Sequence, residues 1–493
     1  MTGLPLPIYP FIAQPGSGYS AFNDIAGWWR ADTFTGASPN IILTDKSGKG
    51  KNATQQAGTL TSGTGVNGQA KFTGNSSAYL NIGLSMNNWP ITVITIALRA
   101  NNARCGFFGH QGATGFNTLW YGYEASNSNF IYNTSGSANT TAEAGTIACY
   151  TARLGWGNRQ TWVNGVLQAT HTQSTVVQSA ASTTIGTQYR GLNCDWYETL
   201  VWNRTLTLSD LDEVNTYINS RYGMSMPLWS SYTPVPLIVV WGQSNASGRG
   251  TKSYLTSPYN TVQTNVKIWT NNSDYTLTTG NIWASLDESV FNNMLGDGSL
   301  ASLYFGYEAS LGNAYTSRVG GTVYVFKFSK GGSPLANMGS VYWLPTDNSA
   351  APNNSNKLYS LLQNNWTAAL ASLQSSGLRP SCIAIVGTQG EQDATDATAS
   401  SNYQTNLVTF YNTIRPELGL DIGYTKAKVF ITRLPNGQTG EPYLSTVQAA
   451  QTNAVSSLNN SYLFNTDSYS LSGGVHFGNA SLVQLGIDLA ALF

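Results

Sequence analysis

The chain has 493 residues, more than one hydrophobic core usually organises, so two domains are expected. Charged residues make up 10% of it, against a usual figure of about 25%, and the formal net charge is zero. That balance excludes the basic footprint of a nucleic-acid binder, and 12% aromatic residues exclude a disordered chain.

Residues 1–20 contain Pro5, Pro7, Pro10 and Pro15 and read as an extended arm, because proline locks the backbone and removes a donor. The arm has neither the basic start nor the unbroken apolar stretch of a secretory signal. No segment approaches the roughly 20 apolar residues that cross a bilayer.

From residue 21 to 223, short alternating runs such as "AYLNIGL", "ITVITIALRA" and "QTWVNGVLQATHT" are separated by Gly, Asn and Ser clusters. Period-2 alternation punctuated in this way predicts an all-β sandwich. Asn164-Gly165 predicts a two-residue hairpin. The region closes on a predicted helix with Ser209 as N-cap, Leu211, Val214 and Ile218 on one face, and Gly223 as the stop. Residues 224–234, rich in proline with their flank, read as a linker.

From 235 to 493 the pattern changes. Strand-like runs ("PLIVVW", "GTVYVFKFS", "SCIAIVG", "AKVFITRL") alternate with helix-like ones ("KLYSLLQNNWTAALASLQSSG", "SSNYQTNLVTFYNTIRPELG"). This predicts a three-layer α/β/α domain around a parallel sheet. Open sheets of that kind place their sites beyond the carboxyl ends of the strands.

Three polar motifs follow predicted strands: Gly242-Gln243-Ser244-Asn245, Lys330-Gly331-Gly332-Ser333-Pro334, and "GTQGEQDA" from Gly387 to Ala394. A fourth motif, "GGVHF", carries His476. The chain has three histidines, His110, His171 and His476. A serine needs a base to act as nucleophile near neutral pH, and histidine is the usual one. If Ser244 is a nucleophile served from its own domain, His476 is the base. Each motif alone is commonplace; the four in this order are not. Counting Gly242 as the first position, the fifth is Ala246, so the G-x-S-x-G elbow of α/β-hydrolases is absent. No phosphate-binding P-loop occurs.

The blocks "GQSNASGRG", "YFGYEASLG", "VYVFKFSKGGSPL", "GTQGEQDA" and "GGVHF" resemble those of the SGNH (GDSL-like) hydrolases. They are most similar to the GQSN branch, which includes sialate O-acetylesterases and acetylxylan esterases of carbohydrate esterase family 6. The resemblance implies a serine esterase acting on acetylated carbohydrate without a metal or other cofactor. It implies Ser244 as nucleophile, His476 as base, and an oxyanion hole from the backbone of Ser244 and of Gly331 or Gly332. Gln392, or else Gln389, would add a donor, and the Ser244 side chain would lie by a helix N-terminus. Members of this group usually carry Asp three residues before the histidine, where this chain has Gly473. Glu391 is the first candidate to orient His476 instead, with Asp393 and Asp467 as alternatives; the remaining alternative is a serine–histidine dyad, weakened or inactive.

In the first domain, "GWWRAD", "LTDKSGKGKNATQ" and the closing "WYETLVWNRTLTLSDLDEVNTYINSRYG" resemble laminin-G-like and concanavalin A-like jelly rolls, which implies a lectin-like accessory role. Trp28, Trp29, Trp162, Trp196 and Trp202 could stack on sugars, although core placement is commoner for sandwich tryptophans. Cys105, Cys149, Cys194 and Cys382 show no metal-binding spacing, and Cys382 reads as a core residue. Asn245-Ala246-Ser247 is a formal glycosylation sequon beside the candidate nucleophile.

The expected setting is a phage or virus particle surface, or another extracellular location, with acetylated polysaccharide as substrate. The arm would meet other virion proteins. The competing expectation is a non-catalytic glycan-binding adhesin or decoration protein that keeps the hydrolase fold.

Overall fold

A computed structural model describes residues 20–84, 91–99, 105–111, 119–123, 128–132, 138–139, 145–154, 158–172, 182–186, 191–270, 282–287, 303–339, 341–345, 358–417 and 427–493. The proline-rich arm lies outside the described residues. Contacts divide the chain into two units, residues 1–231 and 232–493.

In the first unit the described residues form two antiparallel sheets. The strand Ile91–Leu98 sits between Ile147–Leu154 and Asp195–Trp202 in one of them. It reads as nearly continuous apolar sequence because both its faces are covered. Ile91, Val93 and Ala97 pack with Phe107, Leu80 and Ile185 of the other sheet. Ile94 and Ile96 point the opposite way and meet helix α1, Leu208–Tyr222, through Val214, Tyr217 and Ile218. The Asn164-Gly165 hairpin forms with both residues at positive φ (51° and 76°), as a two-residue turn requires.

The N-cap of α1 is Thr207 and not Ser209. Thr207 Oγ1 accepts from Asp210 N at 3.1 Å, and Asp210 Oδ2 accepts from Thr207 N at 2.7 Å. This reciprocal pair satisfies two donors that Ser209, inside the first turn, could not reach. Trp28, Trp29, Trp196 and Trp202 are fully buried and build the core, whereas Trp162 is half-buried. Asp45, in the "DKSGKGKN" turn, accepts hydrogen bonds from Trp28 N, Ser47 N, Ser47 Oγ and Lys51 N. It organises the turn. All four cysteines are buried and free.

The second unit contains a seven-stranded sheet. Its strands in chain order are β1 Thr233–Gly242, β2 Gln263–Thr270, β3 Ile282–Leu286, β4 Val323–Ser329, β5 Leu378–Thr388, β6 Lys428–Thr432 and β7 Ser461–Phe464. They lie in the order β3-β2-β4-β1-β5-β6-β7, parallel except for β3. Strand β1 starts inside the expected linker. Pro234 and Pro236 are tolerated there because β4 joins β1 only from Leu237 onwards, and proline suits a strand with a free side. The other end of the expected linker belongs to the first unit: Asn219 exchanges two hydrogen bonds with Met226, and Asn215 Nδ2 donates to Pro227 O.

Helices cover both sheet faces. On one, Ile238, Val240, Val325 and Val386 pack against α3 (Glu308–Val319) and α6 (Asn479–Ala490). On the other, Trp241 stacks on Phe410 of α5 (Ala397–Glu417) with ring centroids 3.9 Å apart. There Phe326 meets Trp366 of α4 (Leu358–Ser375). Strand β1, first in the chain, is central, and β4 and β5 flank it on opposite sides. The switch point therefore lies at the carboxyl end of β1, where three of the four motifs emerge side by side.

Candidate active site

Strand β1 ends at Gly242 with φ 136°. A side chain there would collide with Thr388 O of β5, so the turn needs a residue without a Cβ. Gln243 N donates to that same carbonyl at 3.0 Å. Ser244 then opens α2, the four-residue helix Ser244–Ser247. One turn sums few peptide dipoles, so the expected helix-terminus effect at Ser244 is small. The far end of α2 is held by Lys327 Nζ, which donates to Ser247 O at 2.8 Å and pairs with Glu308 at 2.6 Å. Both charged side chains are fully buried.

His476 lies in a short hairpin, Leu471–Ser472 with His476–Phe477. Its Nε2 lies 3.0 Å from Ser244 Oγ. Two residues 232 positions apart in the chain are thus in hydrogen-bond contact, the geometry a serine and its base require.

Asn245 fixes the strand that carries the histidine. Its Oδ1 accepts from Phe477 N at 3.0 Å, and its Nδ2 donates to Val475 O at 3.1 Å. The two bonds bracket His476. Gln438 Nε2 adds a second donor to Val475 O at 2.9 Å. Asn245 Nδ2 also donates to Glu391 Oε1 at 2.7 Å. Asn245 is 1% exposed, so the sequon it begins is buried with both amide atoms engaged.

The three acids offered in place of an aspartate at 473 bond elsewhere than the imidazole. Glu391 meets Asn245 through one oxygen, and its other oxygen, Oε2, is buried without a hydrogen bond. Burial pushes its carboxyl up to about 7 against the opposing pull of the Asn245 bond, with Glu441 and Asp393 adding repulsion. Asp393 accepts from Leu335 N, Ala336 N and Gln389 Nε2. Asp467 pairs with Arg433 and takes two bonds from Asn436. Glu391 reaches the base through Asn245, since the amide takes its one bonded oxygen.

The loop after β4 lies next to these groups. Lys330 N donates to Gly242 O at 3.0 Å, which ties the loop to the end of β1. Gly332 has φ 63°, and Gln392 Oε1 stands 4.0 Å from where its Cβ would be. Gln392 is therefore beside the loop, but its amide donor is turned to Thr395 Oγ1 at 3.3 Å, and its backbone N–H meets Gln243 Oε1 at 3.3 Å. Gln389 points to the loop from beneath, through Ser333 O and Asp393. Sequence reasoning missed Gln243 and Asn245. The signal available was a pair of amides between an apolar strand and a buried turn, where every polar atom must find a partner.

Among the described residues no group of three or more His, Cys, Asp or Glu side chains could hold a metal ion, and no helix is long and apolar enough to cross a membrane.

A serine at a strand end, with histidine at hydrogen-bond distance and a backbone loop beside it, defines a hydrolase of the serine–histidine class. Residues 234–493 match the family described as "SASA: Carbohydrate esterase, sialic acid-specific acetylesterase". The chain belongs to that family, and it is a carbohydrate acetylesterase, a carboxylic ester hydrolase. No curated protein matches the chain. Similar solved structures include a protein of Arabidopsis thaliana, 18% identical, TM-score 0.40, covering 52% of this chain and 97% of that one. NanS is 12% identical, TM-score 0.41, covering 53% and 97%. A carbohydrate acetylesterase from Xanthomonas citri is 9% identical, TM-score 0.35, covering 85% and 71%.

Proposed function

We propose that the second unit removes O-acetyl groups from a glycan, with Ser244 as nucleophile and His476 as general base. The observation that carries this reading is the 3.0 Å contact between Ser244 Oγ and His476 Nε2 at the switch point of the sheet. His476 takes the serine proton as Oγ bonds to the acetyl carbonyl carbon. The carbonyl oxygen becomes an oxyanion, received by the backbone of Ser244 and of the Gly331–Gly332 turn. As the tetrahedral intermediate collapses, the C–O bond to the sugar breaks and the imidazolium returns its proton to the leaving hydroxyl. Water, deprotonated by the same imidazole, attacks the acyl carbon; the bond to Oγ breaks, the imidazolium returns its proton to Oγ, and acetate leaves. Glu391 supports the base at one remove through Asn245, which braces the strand that carries His476.

The substrate class we favour is acetylated sialic acid or a related acetylated sugar within a surface glycan, in keeping with the family. The sandwich fits a lectin-like accessory role, but its sugar contacts fall elsewhere than on Trp28, Trp29, Trp196 and Trp202, which are buried. A particle-surface or other extracellular setting suits a low-charge chain acting on polymeric glycan.

The test is acetate release from p-nitrophenyl acetate and from a panel of acetylated sialic acids and polysaccharides. Ser244→Ala and His476→Ala should each lose about 10⁴-fold or more in kcat, as removal of either member of such a unit does. Full activity in Ser244→Ala would sink the assignment. A wild type silent on every acetyl ester would leave a glycan-binding protein.

A further inference from the structure

We propose that Asp393, seconded by Gln389, is a positioning residue that holds the Lys330–Ala336 loop where its backbone can receive the oxyanion. This rests on the esterase reading above. Asp393 is fully buried, yet its carboxylate is directed at one target. Leu335 N donates to Oδ2 at 2.8 Å and to Oδ1 at 3.1 Å, and Ala336 N donates to Oδ1 at 3.2 Å. Gln389 Nε2 donates to Oδ2 at 2.7 Å and contacts Ser333 O at 3.3 Å. The Gln389 carbonyl is itself fixed by Tyr403 Oη at 2.8 Å and Gln451 Nε2 at 3.0 Å.

The other end of the loop is closed by its own bonds. Ser333 Oγ donates to Lys330 O at 2.6 Å and accepts from Trp343 Nε1 at 2.7 Å. Gly331 and Gly332 are thus held between an anchored start, Lys330 N on Gly242 O, and an anchored end on Asp393. A buried carboxylate is costly, and where only packing is needed an apolar residue of similar volume does as well or better. Its use here fits a demand for geometry. Oxyanion donors must sit about 2.7–3.1 Å from the developing charge, and a displacement of about 1 Å can cost 10²-fold in rate.

The experiment compares wild type, Asp393→Asn and Gln389→Met on p-nitrophenyl acetate. In Asp393→Asn one amide donor must face the donors of Leu335, Ala336 or Gln389. We expect kcat to fall about 10²-fold with KM within about three-fold. If Asp393→Asn does not fold, Gln389→Met, which removes the amide but keeps the carboxylate, should lower kcat about ten-fold at unchanged KM. An Asp393→Asn enzyme with wild-type kcat overturns the proposal. So does a Gln389→Met enzyme with unaltered kcat. An inactive wild type overturns the esterase reading and this inference together; an active wild type with an unimpaired Asp393→Asn overturns this inference alone.

Discussion

Both units bury carboxylates, and they use them differently. In the sandwich, Glu198 is fully buried and accepts from Trp28 Nε1, Tyr217 Oη at 2.8 Å and Tyr222 Oη at 2.5 Å. Every one of those donors is a core side chain, and two of them belong to α1. Burial first, and then the neighbouring Glu198 charge, push the Tyr217 and Tyr222 hydroxyls well above their usual range, so they stay protonated donors. The result is a pin between sheet and helix. In the esterase unit, Glu391 and Asp393 bond instead to groups that position reacting atoms: the amide that brackets His476 and the backbone of the loop beside Ser244. What separates a structural carboxylate from a functional one here is the identity of its donors, since all three are buried.

The sharpest way to break that comparison is at Glu391. Glu391→Ala removes the acceptor of Asn245 and should cost about 10²-fold in kcat, because a loosened Asn245 frees the histidine strand. Glu391→Gln keeps an oxygen for Asn245 and should stay within a few-fold of wild type. A fall in Glu391→Gln as deep as in Glu391→Ala would show that the negative charge itself acts on the imidazole. The charge has a separate signature in stability. Burial raises the Glu391 carboxyl from its usual 4.5 to about 7, so the folded protein binds this proton more tightly than the unfolded chain does. Glu391 therefore adds stability fully below about pH 4.5, and that contribution is lost as pH rises through about 7. Thermal unfolding of wild type and Glu391→Gln in parallel isolates the effect: the variant should gain on wild type as pH rises across that window. An equal offset at both ends would mean that the Glu391 carboxyl takes up its proton alike in the folded and the unfolded chain.

A smaller effect on rate and a larger one on folding are expected at Glu198. Glu198→Ala leaves the donors of Trp28, Tyr217 and Tyr222 buried and unpaired, which should destabilise the first unit by about 3 kcal/mol. The acetyl-ester kcat should remain within about two-fold of wild type, because a contribution confined to the sandwich core does not enter the transition state. Denaturant unfolding read alongside kcat checks both halves, and a loss of rate would contradict the purely structural role.

The parts of the molecule legible in sequence are those set by apolar patterning. Runs such as "LIVVW" and "SCIAIV" mark buried strands, and a polar motif at the end of each marks the rim where a site can form. His476 could be reached by elimination, since the second unit has no other histidine. Hydrogen-bond direction was not legible. Nothing in "GTQGEQDA" says that Glu391 turns to Asn245 while Asp393, two residues on, turns to Leu335, because rotamer and tertiary context decide it. The N-cap illustrates the same limit at short range: Thr207 and Ser209 are both hydroxyls, and only Thr207 stands three residues before an acid that answers its backbone. Tryptophans likewise show their bulk in sequence and not their depth.

The smallest effect is expected where sequence raised the loudest alarm, at Gly473. That residue has φ 65° in the turn before His476, a conformation that costs most side chains roughly 1–2 kcal/mol and Asn or Asp less. The sandwich shows the tolerance directly, with Asn67 at φ 54° and Asn164 at φ 51°. No atom lies within 4 Å of where a Cβ on Gly473 would be, so Gly473→Asp has room and should lose no more than about 1 kcal/mol. Because Asn245 already fixes the backbone on both sides of His476, an added carboxylate has little left to orient, and kcat should change less than about three-fold. A gain above about ten-fold, of the size a direct orienting acid can supply, would show that the orientation of the imidazole ring limits the reaction and the placement of its strand does not.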